Sequence, residues 1–260
     1  MKTASDKLFH GSLLLPLGLL VGYFLLLLAG QLPWLDAGGL ARELGSRQIL
    51  EAIRLSLVTA SCATLLALLL AVPAGYVLAR RNFVGKTLID TLLDLPVVLT
   101  PVALGTLILM AANTAPGQIL RQLGLELPFT VAGVIAAQFT VVVAMAVRML
   151  KAAFEEVSPR YEQVARLLGC GAGGAFLRVS LPLARRSILA AFILCWARAM
   201  GEFGATVMVA GTAAKTTTLP SAIYLAMSVA DLPRVVALVL LLVGLSLLVL
   251  FLVRLVGGRR

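Results

Sequence analysis

Apolar residues gather in six runs separated by polar stretches, at about residues 12–30, 52–79, 95–112, 130–147, 188–210 and 235–256. As a helix, each run can cross the roughly 30 Å of hydrocarbon in a bilayer, because a helix closes its backbone hydrogen bonds internally. The pattern predicts an all-α, polytopic transmembrane bundle of six spans, forming one membrane domain over residues 1–260. Lys2 and Lys7 precede the first run, as in a signal peptide, but Ala29-Gly30-Gln31 is no clear A-x-A cleavage site, so that run is expected to remain as a span.

Proline marks irregular places within this pattern. Pro73 lies inside the second run, and Pro96 and Pro101 bracket the start of the third in Leu95-Pro96-Val97-Val98-Leu99-Thr100-Pro101. Proline removes a backbone donor and kinks a helix, and in lipid the freed carbonyl needs a partner in protein or in a wet cavity. The third span is therefore expected to face other helices or a pore, the alternative being a plain packing kink.

Composition narrows the class. Hydrophobic residues make up 60% and charged residues only 13%, against about 25% charged in soluble domains. With a mean hydropathy of +1.02, this excludes an ordinary soluble or disordered chain and leaves an integral membrane protein with lipid around it. A net charge of +10 would suggest nucleic acid in a soluble protein. Here most Lys and Arg flank the apolar runs, so no nucleic-acid partner is expected. With the N-terminus inside, fifteen Lys and Arg fall on the cytoplasmic side and six outside, Arg198 remaining within a span. The positive-inside rule then puts both termini in the cytoplasm, in agreement with an even number of spans. Three cysteines, Cys62, Cys170 and Cys195, form no CxxC pair, and His10 is the only histidine, so no histidine-cluster metal site is expected.

The segment 148–187 stands out as a long loop on the positive side, and long loops are usually functional. Ser158-Pro159 supplies an N-cap and a first-turn proline, and Tyr161, Val164, Ala165 and Leu168 repeat at helical spacing. Gly169 can end that helix in the left-handed conformation, and a second amphipathic piece follows near Phe176-Leu177-Arg178-Val179. A short helix of this kind can lie on a membrane surface or fill a groove on a partner, and its pattern alone does not separate the two.

The run Tyr161-Glu162-Gln163-Val164-Ala165-Arg166-Leu167-Leu168-Gly169, followed after nine residues by Val179-Ser180-Leu181-Pro182, resembles the EAA loop of ABC importer permeases. Ala165, Gly169, Leu181 and Pro182 match that motif. Gln163 and Val164 stand where Glu and Ala are usual, Val179 replaces Ile, and Glu162 supplies a carboxylate one place early. The resemblance implies that Tyr161, Glu162, Gln163, Ala165, Arg166, Gly169, Leu181 and Pro182 belong to coupling helices that dock in a cleft of a cytoplasmic ATPase. Gly171, Ala172, Gly173 and Gly174 lie where relatives often carry a bulky aromatic or basic residue, so the docking contacts would be weaker or differently placed.

Arg198 and Glu202 lie inside the fifth run, four apart and so on one helix face. A charge at the bilayer centre costs about 2.5–3.5 kcal/mol on insertion scales, so such a pair points to function or to pinning the span against a neighbour. Gly201 and Gly204 permit close helix approach or a local break. The stretch Arg198-Ala199-Met200-Gly201-Glu202-Phe203-Gly204-Ala205-Thr206 resembles the span-five signature of permeases for molybdate, tungstate and sulfate. Thr218-Leu219-Pro220-Ser221-Ala222-Ile223-Tyr224 resembles the extracytoplasmic segment of the molybdate and tungstate members, and Leu95–Pro101 their third span. The likeness covers roughly residues 50–256 and is strongest to the molybdate-type members, with sulfate or thiosulfate permeases as the alternative.

That resemblance implies a translocation subunit in a prokaryotic inner membrane. Two copies would form a pore, with Arg198, Glu202 and Thr206 in the path or gate. An extracytoplasmic oxyanion-binding protein would deliver the anion, and a separate ATPase dimer would use ATP and Mg. The aliphatic spans imply a low-affinity path, since tight oxyanion binding needs many convergent donors. The chain itself is expected to bind no cofactor and to be no enzyme. It has no G-x-x-x-x-G-K-[ST], and its Gly169-x-Gly171-x-x-Gly174 lacks the preceding strand and following acid of a dinucleotide site. Two readings from other classes stay open, an ATPase-independent secondary transporter or channel, which should show more polar and broken spans, and a membrane scaffold.

Overall fold

A computed structural model describes residues 4–34 and 37–257, and among them every regular element is helical. Lys2, Arg259 and Arg260 of the charge argument lie outside the described residues, as do the side chains of Lys7, His10 and Arg254. The first run forms α1, Ala4–Ala29, and a short helix α2, Ala37–Gly45, follows it. The second run is α3, Arg47–Arg80.

The third run does not form one span. It divides into α4, Lys86–Val98, and α5, Pro101–Ala112, which meet at 112°. Pro101 drives Thr100 out of the helical region, to φ −65° and ψ 147°. Thr100 then caps α5, its hydroxyl accepting the Ala103 N–H at 3.3 Å. The prolines therefore separate two helices, whereas α3 runs through Pro73 without a break.

A short helix α6, Ala115–Gln122, leads to α7, Val131–Glu156. The fourth span thus continues nine residues past its expected end at Val147, and the loop shrinks accordingly: Arg148, Lys151, Glu155 and Glu156 are helical. The loop holds α8, Pro159–Leu167, then α9, Ala172–Ala175, a π-helical turn over Phe176–Ser180 and α10, Leu181–Leu183. The second amphipathic piece is thus that π-helical turn. Pro182 has no N–H to offer the Arg178 carbonyl, and the wider turn is instead closed by Leu181 N–H on Phe176 O.

The fifth run is broken as well. It forms α11, Arg185–Met200, and α12, Gly204–Ala210. Then α13, Leu219–Ser228, precedes α14, Leu232–Gly257. Among the described residues, three helices are long and apolar enough to cross a membrane, in α3, α7 and α14, and up to five crossings result if α4 with α5, and Ala172–Leu183 with α11, each count as one bent span. The third and fifth runs are therefore not uninterrupted spans. α1 is helical over 26 residues, and its described side chains, Leu14–Ala29, are largely apolar.

The core lies where α3, α7 and α11 meet. Ala60, Ala63, Ala67, Ala71 and Gly75 make a buried small-residue stripe on α3. Such a stripe lets backbones approach closely. At Gly75 a Cβ would lie 2.9 Å from Lys151 N and 3.0 Å from Leu150 Cβ. Val142, Ala146, Leu150, Cys195 and Trp196 complete this core, and Trp196 Nε1 donates to Ser61 Oγ at 3.1 Å. Leu65, Leu66, Leu69 and Leu70 are exposed on the outer face of α3, as a lipid-facing surface requires.

The two broken spans meet at their breaks. A Cβ on Gly204 would lie 3.2 Å from Pro101 Cβ, and one on Gly105 would lie 2.7 Å from Ala205 O. Glycine at both places lets α12 lie directly on α5. The segment Thr216–Ser221 is wholly buried, and Leu219 N–H donates to Ser56 Oγ at 2.8 Å.

Candidate functional site

The loop motif is built around one carboxylate. Ser158 caps α8, its Oγ accepting the Arg160 N–H at 3.4 Å, and Pro159 occupies the first turn. Gly169, at φ +91°, ends the helix: Gly169 N–H donates to Arg166 O at 3.1 Å and Cys170 N–H to Ala165 O at 3.0 Å. The expected cap and stop are both in place.

Within α8, Glu162 turns toward the bundle. It accepts hydrogen bonds from Arg80 Nε at 2.8 Å, Tyr76 Oη at 2.8 Å and Ser180 Oγ at 2.7 Å. Arg80 Nη2 also donates to Val157 O at 2.6 Å. The side chains of Arg80 and Glu162 are 10% and 14% exposed. Tyr76 stacks against Phe154 and Phe176, at 5.5 Å and 4.5 Å between ring centroids. Burial pushes the Glu162 carboxyl pKa up, but the bonds from Ser180, Tyr76 and Arg80 outweigh it and hold it below the ordinary value. One residue thus fastens α8 to the end of α3 and to the π-helical turn.

The apolar stripe faces the other way. Tyr161, Val164 and Leu168 are 58%, 54% and 82% exposed, and Ala165 is half-buried beneath them. Gln163, Arg166 and Pro182 are exposed, and Leu181 is half-buried.

The charged pair of the fifth run sits at the break. Arg198 Nη1 donates to Glu202 Oε2 at 2.7 Å, and Ala205 N–H donates to Glu202 Oε1 at 2.9 Å. Glu202 is therefore a clasp between α11 and the first turn of α12, with a carboxylate at the helix's positive end. Its side chain is 1% exposed, against 38% for Arg198. Thr206 is buried, its hydroxyl donating to Glu202 O at 3.4 Å.

Sequence reasoning missed several partners. Tyr76 and Arg80 close the loop anchor. Gln138, buried in α7, donates from Nε2 to Ala199 O at 3.1 Å, beside the break. Asp94 pairs with Arg148 through both carboxylate oxygens, and Lys151 Nζ donates to Asp90 Oδ2 at 2.9 Å. A signal was present: Asp90 and Asp94 are four apart and Arg148 and Lys151 three apart, so each pair shares a helix face. Among the described residues, no group of three or more His, Cys, Asp or Glu could hold a metal ion.

Residues 71–260 match the model of the family described as binding-protein-dependent transport system inner membrane component. The chain is 38% identical over 179 residues to the molybdenum transport system permease protein ModB of Haemophilus influenzae, covering 67% of this chain and 78% of that protein. It is 38% identical over 175 residues to the molybdate/tungstate transport system permease protein WtpB of Thermococcus kodakarensis, covering 67% and 66%. It is 35% identical over 249 residues to a probable molybdenum ABC transporter permease protein of Haloferax volcanii, covering 96% and 91%. The fold is similar to a chain in the crystal structure of a bacterial alginate ABC transporter in complex with an alginate pentasaccharide-bound periplasmic protein. The TM-score is 0.79 at 14% identity, over 98% of this chain and 95% of that one. The chain belongs to the family of binding-protein-dependent transport system inner membrane components.

Proposed function

We propose that the chain is the membrane-spanning permease subunit of an ATP-driven importer that moves molybdate or tungstate into the cell. The observation that carries this reading is α8 itself. Glu162 clamps the helix from behind, and Tyr161, Val164 and Leu168 stand exposed in front, as a helix must if it fills a groove on a partner. The partner is a cytoplasmic ATPase dimer that uses ATP and Mg, and this chain only translocates. The names borne by the relatives favour molybdate and tungstate over sulfate.

In this reading α1 supplies a sixth crossing and both termini lie in the cytoplasm. A second copy of the chain completes the pore, along the broken third and fifth spans, with Arg198, Glu202 and Thr206 at its gate. An extracytoplasmic binding protein delivers the anion. ATP binding draws the clamped loops together and turns the pore outward, which is alternating access by rocking of rigid bundles. Molybdate uptake into proteoliposomes that carry the complex, ATP inside and loaded binding protein outside tests it. Uptake that needs all three components supports the proposal, and uptake that proceeds without ATP contradicts it.

A further inference from the structure

Between the two breaks lies a cavity of about 300 Å³, roughly ten water volumes at about 30 Å³ each. Pro96, Leu99, Pro101, Leu104 and Val141 give it apolar walls. The only charged residues lining it, among the described ones, are Arg148 and Arg198, from α7 and α11. Their carboxylate partners, Asp94 and Glu202, are not part of the lining. Glu202 is turned away onto the Ala205 N–H. The first turn of α5, whose end of the helix dipole is positive, adds Pro101 and Leu104 to the same wall.

We infer that this cavity is a transient oxyanion subsite on the translocation path, with Arg148 and Arg198 as its two donors and Asp94 as the competitor that limits its affinity. The inference rests on the proposed import of a tetrahedral dianion and adds to it the place where the anion pauses. Guanidinium forks suit oxyanions, being planar and always charged. Glu202 takes a single bond from Arg198, from Nη1 at 2.7 Å, so most of that guanidinium's five N–H donors are not engaged by it. Arg148 is held by Asp94 through both oxygens, so an anion gains it only by exchange. Two arginines, each with its own carboxylate, attract a dianion without trapping it. A conducting path needs that balance, with binding strong enough to enter and weak enough to leave.

The test uses the complete complex in proteoliposomes, as wild type, Arg148→Gln, Arg198→Lys and Asp94→Asn. Binding of molybdate without binding protein is read from the broadening of its molybdenum NMR line, and uptake is measured alongside. Arg148→Gln is expected to weaken binding about tenfold, the worth of a charge-assisted hydrogen bond. Arg198→Lys keeps the charge but loses the fork and is expected to weaken binding less. Asp94→Asn frees Arg148 and is expected to tighten binding. Opposite signs are the decisive readout, because Arg148→Gln and Asp94→Asn break the same ion pair, and a purely structural pair would respond alike to both. Equal losses, or binding unchanged in all three variants while wild-type uptake persists, overturn the subsite and leave the import reading standing. Absence of molybdate uptake by the wild-type complex overturns the import reading and the subsite with it.

Discussion

Arg80 and Glu162 are 82 residues apart in sequence, yet Arg80 Nε donates to Glu162 Oε1 at 2.8 Å with both side chains nearly buried. The pair joins the end of a membrane helix to the loop that faces the cytoplasm in the proposed machine, so movement of one must carry the other. Removing either partner leaves a mostly buried charge. Glu162→Gln is expected to loosen the loop by about 2 kcal/mol, and Tyr76→Phe by about 1 kcal/mol. A double-mutant cycle of Arg80→Ala with Glu162→Ala, read by thermal unfolding, should give a coupling of about 1–2 kcal/mol. Additive losses would contradict the anchor.

The same carboxylate predicts a pH dependence. Its pKa in the folded chain lies below the ordinary 4.5, so the unfolded loop binds the proton more readily. The anchor's contribution is therefore fully present above about pH 4.5 and is lost as pH falls through the depressed value. The protection of the loop amides against hydrogen exchange, relative to their intrinsic rates at each pH, should fall on acidification in wild type. In Glu162→Gln that change should be absent.

The exposed stripe on α8 makes a separate prediction. Val164→Glu and Leu168→Glu alter residues that are 54% and 82% exposed and that pack on nothing in the core. The permease should fold and insert as before, and co-purification with its ATPase should fall at least about tenfold, as for loss of an apolar anchor. An unchanged yield of ATPase would argue that this face lies on lipid headgroups instead.

Close backbone approach predicts which glycines tolerate a methyl group. Gly75→Ala and Gly105→Ala would press a Cβ to within 3.0 Å of neighbouring backbone, at α7 and at α12 respectively. Each should cost about 1–3 kcal/mol, the usual penalty of overpacking. Gly244 in α14 has nothing within 4 Å of a built Cβ, so Gly244→Ala should be neutral or mildly stabilising. Thermal stability of the three variants in detergent orders them.

Arg198 and Glu202 hold the break in the fifth run. Arg198→Ala leaves a carboxylate that is 1% exposed without its cation, a change worth about 3–5 kcal/mol. Uptake should fall well below wild type, with partial recovery in Arg198→Lys. Uptake by Arg198→Ala that matched wild type in rate and expression would remove this residue from the path and the gate.

Local chemistry was the legible part of this sequence. Ser158, Pro159 and Gly169 set both ends of α8 by capping and left-handed geometry within a few residues, and the long apolar runs announced helices. Pro96 and Pro101 did mark irregularity, but periodicity does not tell a kinked span from two helices at an angle. That outcome depends on Gly204 and Gly105 letting α12 seat against α5. The third and fifth runs read as continuous spans for the same reason, because an apolar run measures hydrocarbon length and not continuity. In the fourth span the helix outlasts its apolar run, as Arg148 and Lys151 find Asp94 and Asp90 on α4. Those partners, like Tyr76 and Arg80 for Glu162, lie 54 to 86 residues away, and a shared helix face marks charged pairs without telling which two helices meet.

Passage of molybdate or tungstate through the membrane at the expense of ATP is the core of the proposed function. Its most direct test is the ATPase activity of the reconstituted complex, with binding protein present, scanned over molybdate, tungstate, sulfate and phosphate. Stimulation by molybdate and tungstate, absent with sulfate and phosphate, is the predicted result. Stimulation by sulfate alone, or by none of the four in a well-formed complex, would contradict it.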